Sequence, residues 1–198
     1  MRKAINHLKK ADPVIAAIIE RVGAFRMQQR PATFWALARA IVFQQLNGKA
    51  ATTIWNRLEE ACGGEATPES ILKLTDQQMR GCGLSKQKLS YVRDLATRTL
   101  SREIDFERID QWTDEQVIEH LTRVKGIGEW TAHMFLMFAL QRPNVLPTGD
   151  YGIRAAMRKA YRMRKMPTPK RMQQVAKCWH PYCSVACWYL WRSLDTKL

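Results

Sequence analysis

The sequence predicts an all-α fold. Apolar residues recur at spacings of three and four, helix-capping pairs are repeated along the chain, and no segment shows the alternation expected of a half-buried strand. The chain has 198 residues, of which 46% are hydrophobic and 25% are charged, an ordinary composition for a folded protein. A chain of this length can bury one core or form two small lobes.

The first elements follow one another with recognisable stop signals. Phe34 and Ile41 lie on one apolar face of a helix that we expect to run up to Gln45, before a stop at Asn47-Gly48. The helix after that is expected to end at Gly63-Gly64.

Later helices are predicted from their first residues. Threonine precedes proline at Thr67-Pro68 and at Thr168-Pro169, which fits a cap followed by proline at the first helical position. Thr75 and Thr113 each stand three residues before a glutamine, the spacing of a capping box. The glycines around position 82 precede a helix predicted at about 85–100.

Charge and cysteine content limit the classes of partner and compartment. The 32 Lys and Arg against 18 Asp and Glu give a net charge of +14, spread along the chain. This predicts a polyanionic partner, most commonly nucleic acid, with a solvated basic surface as the alternative. Neither a membrane span nor a secretion signal is recognisable, so we expect a protein that is not secreted. The five cysteines are expected to be reduced, and their spacing suits no zinc site or iron-sulfur cluster.

The segment at 121–132, LTRVKGIGEWTA, is a glycine turn between two predicted helices. Gly126 and Gly128 would let backbone N–H groups approach a phosphate closely, at the positive end of the following helix. A plain helix–helix turn is the alternative for Gly-x-Gly alone. About twenty residues later, Asp150 stands at the start of another predicted helix, where spacing alone favours an N-cap.

Together these segments resemble the helix-hairpin-helix (HhH-GPD) DNA glycosylase superfamily, most closely its 3-methyladenine DNA glycosylase II (AlkA-type) branch. The resemblance covers about 33–192 and includes IVFQQL at 41–46, GLSKQK at 83–88, WHPY at 179–182 and WYLWR at 188–192. It implies an all-α, two-lobed fold with a central cleft and without the N-terminal β-domain of some members. We expect a single unit over 1–198, with lobe A at about 33–110, lobe B at about 111–198, residues 1–32 packing on lobe B, and the hairpin at about 119–140.

The resemblance implies a monofunctional DNA glycosylase of base excision repair, which flips an alkylated purine such as 3-methyladenine or 7-methylguanine out of the duplex and hydrolyses its N-glycosidic bond. Asp150 would be the catalytic carboxylate, because charge builds up on the sugar as the bond breaks. Relatives that also nick the backbone carry a lysine nucleophile at the position of Trp130. Since an indole nitrogen is not a usable nucleophile, we expect no strand cleavage.

The other site residues are carried over from the same resemblance. Trp130, Met134, Trp191 and Gln44 are expected to line the base pocket, where an indole attracts a cationic purine; for the tryptophans, core packing is the alternative. The wedge that fills the gap left by the flipped base would be Gln45 or Leu46. The expected DNA-binding residues are Gln45, Leu46, Lys125, Gly126, Ile127, Gly128, Thr131 and Arg154. The spacing itself places Arg154, Arg158 and Arg162 on one helix face, a basic stripe beside Asp150 that could follow phosphates; a solvated charged face is the alternative.

No cofactor is required by this interpretation. The backbone carbonyls of Thr122, Val124 and Ile127 match those that hold a monovalent cation, Na⁺ or K⁺, in the family. The implied partner is double-stranded DNA with damaged bases, bound by a monomer in the cytoplasm or nucleoid of a prokaryote or the nucleus of a eukaryote.

Two other functions stay open at this point. One is a bifunctional glycosylase/lyase for oxidised bases, and the other is a non-catalytic DNA-binding hairpin protein in which Asp150 only caps a helix. The sequence does not select a preferred lesion among 3-methyladenine, 7-methylguanine, hypoxanthine and ethenoadenine.

Overall fold

A computed structural model describes residues 1–195. The regular structure of this part is helical and contains no strand, so the predicted all-α class is confirmed. No helix in it is long and apolar enough to cross a membrane. The helices are α1 Arg2–Ala11, α2 Pro13–Val22, α3 Phe34–Phe43, α4 Gly48–Ala61, α5 Pro68–Lys73, α6 Asp76–Gly81, α7 Lys86–Leu100, α8 Asp114–Thr122, α9 Glu129–Phe138, α10 Tyr151–Ala160, α11 Pro169–Ala176 and α12 Cys183–Asp195, with 3-10 turns at Ile109–Gln111 and Lys177–Trp179.

The predicted helix starts are confirmed. Thr67 and Thr168 cap α5 and α11, each followed by proline. Thr75 and Thr113 form complete capping boxes with the glutamines three residues later. Each such cap contributes about 1 kcal/mol and fixes where its helix begins.

The predicted end of α3 is wrong by two residues. The helix ends at Phe43 rather than at Gln45, because Gln44 has left the helical region and Gln45 has a φ of 55°. Asn47 caps the next helix by accepting the N–H of Ala50, at 2.9 Å. The chain therefore has to reverse within residues 44–47, and this segment is called the 44–47 turn below.

The basic stripe predicted after Asp150 is shorter than expected. Helix α10 ends at Ala160, and Arg162 follows it with a φ of 51°. Arg162 therefore does not continue the helical face of Arg154 and Arg158.

One compact unit comprises Arg30–Phe135. Its centre is α7, which packs against α3, α5 and α6, while α4 packs against α3 and α6. This unit also contains α8 and the turn of the hairpin. The buried core includes Leu37, Ile41, Trp55, Leu58, Ile71, Met79 and Leu95.

The other unit comprises Met1–Gln29 and the chain from Leu136 onward. Helix α12 is buried along most of its length and packs against α2 and α10. The buried Asp12 caps α2 through the N–H groups of Val14 and Ile15. Its second oxygen accepts the hydroxyl of Tyr161 at 2.5 Å and the indole N–H of Trp179 at 2.8 Å. This carboxylate therefore fastens the N-terminal helices to the rest of the unit.

Candidate functional site

Asp150 lies at the first turn of α10, in the unit formed by the two ends of the chain. Its backbone N–H donates to the carbonyl of Pro147, at 3.0 Å, and closes a tight turn before the helix. Its Oδ1 accepts the N–H of Ile153 at 2.7 Å, so Asp150 is the N-cap of α10. Only 7% of the residue is exposed. The helix thus holds a buried carboxylate at its positive end.

The indole of Trp191 fixes the same carboxylate from α12. Its Nε1–H donates to Asp150 Oδ1 at 2.9 Å. The ring stacks on Phe138, with centroids 5.8 Å apart and planes 24° from parallel. Because one carboxylate oxygen receives two N–H donors from two helices, the carboxylate plane has little freedom to rotate.

Gly152 makes room for this contact, and sequence reasoning missed it. A Cβ at position 152 would lie 3.0 Å from Trp191 Cδ1 and 3.1 Å from Asp150 Oδ1. Any larger residue would therefore push the indole away from the carboxylate. The available signal was a glycine in the first turn of a helix, where it weakens the helix, two residues after the candidate catalytic residue.

Cys187 lies near Asp150 but does not supply a nucleophile. Complete burial raises the pKa of its thiol well above the usual range, and the neighbouring Cys183 and Asp150 add to this. A thiol in such surroundings stays protonated and acts as a packing residue.

The remaining surface of α10 carries both charge and aromatic area. Tyr151, directly after the carboxylate, is 76% exposed. Arg158 is exposed, whereas Arg154 is half-buried and its Nε donates to the carbonyl of Pro167, at 3.2 Å. The predicted DNA contact of Arg154 is thus restricted to the guanidinium nitrogens beyond Nε.

The hairpin lies in the other unit, between the end of α8 and the start of α9. The N–H of Ile127 donates to the carbonyl of Val124, at 3.1 Å, and both side chains are buried. Gly126 has a φ of +80°, a conformation that favours glycine. Within the part of the chain that the structure describes, the N–H groups of Gly126 and Gly128 have no protein acceptor. Two donors are therefore available beside a helix N-terminus, the arrangement that binds anions.

Two side chains of α7 support the hairpin. The ring of Tyr91 lies so close to Gly126 that a Cβ there would be 2.0 Å from its Cδ2. Asp94 Oδ2 accepts the backbone N–H of Lys125, at 2.9 Å. The backbone N–H of Lys125 is thus engaged within the protein and is not available to a phosphate, whereas its side chain is exposed.

The 44–47 turn lies beside the hairpin in the same unit. The Nε2 of Gln44 donates to the carbonyl of Gly126, at 3.0 Å, so this side chain ties the turn to the hairpin. Gln44 is predicted to line the base pocket, but this contact uses its side-chain amide to hold the hairpin and does not support that role. Gln45 is exposed with a left-handed backbone, and Leu46 is 39% exposed.

The predicted residues of α9 differ in exposure. Trp130 is 49% exposed, and Met134, one helical turn later, is half-buried. Thr131 is only 9% exposed, which leaves its side chain little surface for the predicted DNA contact. Its burial follows from the period of α9, since the residue next to an exposed tryptophan faces a different side of the helix.

Comparison with known proteins identifies the family. Residues 38–181 match the HhH-GPD superfamily of base excision DNA repair proteins. The chain belongs to this superfamily. It is 34% identical to DNA-3-methyladenine glycosylase 1 of Schizosaccharomyces pombe over 98% of this chain and 87% of that protein. The predicted family and branch are thereby confirmed.

Solved structures of similar proteins support the same assignment. The DNA-3-methyladenine glycosidase of Bacillus halodurans superposes with a TM-score of 0.89 at 35% identity, over 98% of this chain and 89% of that one. A 3-methyladenine DNA glycosylase of S. pombe, solved in complex with abasic DNA, gives a TM-score of 0.84 at 34% identity, over 98% and 97%. The fold is thus that of DNA glycosylases.

Proposed function

We propose that the protein is a monofunctional DNA glycosylase that removes alkylated purines from double-stranded DNA in base excision repair. The observation that carries this proposal is the buried Asp150 carboxylate, held by the N-terminus of α10 and by the indole of Trp191. The relatives named for 3-methyladenine, similar over nearly the whole chain, support the substrate class.

The proposed reaction is hydrolysis at C1′ of the damaged nucleotide. The C1′–N bond breaks as the base departs, and the sugar acquires oxocarbenium character that the negative carboxylate stabilises. Asp150 orients a water molecule and accepts its proton while the water oxygen bonds to C1′. The products are a free base and an abasic site, and no redox step is involved.

Aromatic side chains would favour alkylated over normal purines. Alkylation at N3 or N7 leaves the purine cationic, and an electron-rich indole face attracts a cation more strongly than a neutral ring. Trp130 presents half of its surface to solvent, and Trp191 is half-buried beside Asp150. We assign Trp191, beside Asp150, to stacking with the flipped base. Trp130 and Met134 on α9 offer a second, adaptable apolar surface suited to a purine.

Phosphates would bind at the hairpin. The N–H groups of Gly126 and Gly128 and the exposed side chain of Lys125 supply donors and positive charge. An exposed leucine next to such donors is suited to insertion between bases, and we assign the wedge to Leu46 with Gln45 beside it. The protein would act on the duplex as a monomer.

A monovalent cation in the hairpin is a further part of the proposal. Neutral carbonyl oxygens suit Na⁺ or K⁺ rather than zinc, and the described residues contain no cluster of His, Cys, Asp or Glu suited to a metal. Thr122 is the last residue of α8, and carbonyls in the last turn of a helix have no N–H donor within the helix. The buried side chains of Val124 and Ile127 fix the backbone that follows. Bound there, the cation would add positive charge for a phosphate. Replacing K⁺ by Li⁺ at constant ionic strength should then weaken DNA binding.

Product analysis tests the function and separates it from a lyase. Duplexes that carry 3-methyladenine, 7-methylguanine, hypoxanthine or ethenoadenine are incubated with the protein, and free base and strand breaks are measured separately. We expect release of at least one alkylated purine, with strand breaks only after alkali, because Trp130 cannot form a Schiff base. Breaks without alkali would support the bifunctional alternative, and absence of any base release would refute the proposed function.

The Trp191→Phe variant tests how the carboxylate is held. Phenylalanine keeps an aromatic ring against Phe138 but lacks the N–H that donates to Asp150 Oδ1. A hydrogen bond to a charged group contributes about 1.5–3 kcal/mol, so we expect base release to slow by about tenfold or more in single-turnover assays. Trp188→Phe, on the same helix but in contact with Phe25 and Tyr189, is the matched control and should keep its rate. Equal rates for the two variants would contradict this role.

A further inference from the structure

One face of α7 contacts both segments to which DNA binding has been assigned. Tyr91 and Asp94 support the hairpin, as described above. One turn earlier on the same helix, Lys88 reaches the 44–47 turn. This face of α7 is therefore a common support for two loops that are far apart in the sequence.

The contact of Lys88 is made with the end of α3. Its Nζ donates to the carbonyls of Val42 and Gln44, each at 2.7 Å. The carbonyls at a helix C-terminus lack helical partners and carry partial negative charge, and α3 has no basic residue of its own in its last turn. Lys88 thus supplies, from another helix, the cation that caps α3.

This cap lies at the point where the chain changes direction. Gln44 leaves the helix, Gln45 adopts its left-handed conformation and Leu46 projects into solvent. A non-glycine residue at positive φ is strained, so neighbouring contacts must hold the turn in place. Burial also lowers the pKa of Lys88, while its ammonium group keeps two carbonyl acceptors in this partly buried position.

We propose that Lys88 is a positioning residue that holds the 44–47 turn in the shape that inserts Leu46 into DNA. Together with Tyr91 and Asp94 it lets α7 fix the spacing between this turn and the hairpin. The inference rests on the proposed function. Lys88 itself touches no reacting atom, and its effect should be confined to extrusion of the base.

The test compares Lys88→Met with wild type on two duplexes that contain the same alkylated purine. In one the lesion is paired, and in the other it lies opposite an abasic site and needs little unpairing. We expect release of the paired lesion to fall by about tenfold or more and release of the unpaired lesion by less than about threefold, since only the paired base has to be unstacked and unpaired. Fluorescence of 2-aminopurine next to the paired lesion should report less flipping.

Lys86→Met is the matched control, because Lys86 loses the same charge at an exposed position of α7. Its ratio of paired to unpaired release should equal that of wild type. An unchanged ratio in Lys88→Met, whether both rates fall or neither does, would overturn the proposal. If Lys88→Met does not fold, Lys88→Gln, which keeps a neutral donor, is measured in the same way. Wild-type protein that releases base from neither duplex would refute the proposed function itself, and this inference with it.

Discussion

Asp150→Asn is expected to abolish base release while it leaves the fold and the affinity for abasic DNA intact. The asparagine carbonyl can still accept the N–H groups of Ile153 and Trp191, so the cap of α10 is retained. The variant loses the negative charge that stabilises the sugar cation and the base that accepts the proton from water. Removing such a group costs about 10²–10³-fold or more in rate. Single-turnover base release, binding to an abasic duplex and thermal unfolding measure the three properties.

The chain offers a matched control in its second buried capping aspartate. Asp12 also lies at a helix N-terminus, and both of its oxygens accept hydrogen bonds from protein groups. Asp12→Asn would place an NH₂ group against a donor and should cost about 1–3 kcal/mol of stability, with no change in rate per folded molecule. Undiminished base release by Asp150→Asn would mean that Asp150 is only a cap.

Local signals in the sequence were sufficient for part of this architecture. Thr75 and Thr113 are predictable as caps because both partners of a capping box lie within four consecutive residues. Asp150 is predictable because it starts a helix inside a family motif. The predicted end of α3 is two residues too late, because Asn47-Gly48 has the pattern of a helix stop. Asn47 instead begins the next helix, which forces the reversal to start earlier.

The supporting contacts of the site could not be predicted in this way. Lys88 and Gln44 act on backbone carbonyls of Val42, Gln44 and Gly126, which carry no sequence signal. Lys88, the second lysine of the 83–88 motif, has its partners more than forty positions away in the chain, so the motif alone predicts no role for it. Pairings of this kind depend on how α3, α7 and the hairpin pack, and single-sequence patterns do not contain that information.

Gly126→Ala is expected to disrupt the hairpin and weaken DNA binding. The new Cβ would lie 2.0 Å from the ring of Tyr91, and the backbone would have to keep a φ of +80°. Neither can be relieved locally, because the carbonyl of Gly126 is held by Gln44 and the neighbouring Lys125 N–H by Asp94. Overpacking and backbone strain together should cost about 2 kcal/mol or more of stability.

The displaced backbone would also misplace the donors of Gly126 and Gly128. Loss of one charge-assisted hydrogen bond to phosphate costs about 1.5–3 kcal/mol, which is about tenfold or more in affinity. Titration of a labelled abasic duplex at fixed salt measures this loss, and chemical unfolding measures stability. Gly81→Ala is the control, since a Cβ at that helical position in the same unit meets nothing within 4 Å. Gly81→Ala adds the same methyl group without a clash. An equal loss of affinity in both variants would therefore argue against the hairpin as the phosphate site. Wild-type affinity in Gly126→Ala would argue against it as well.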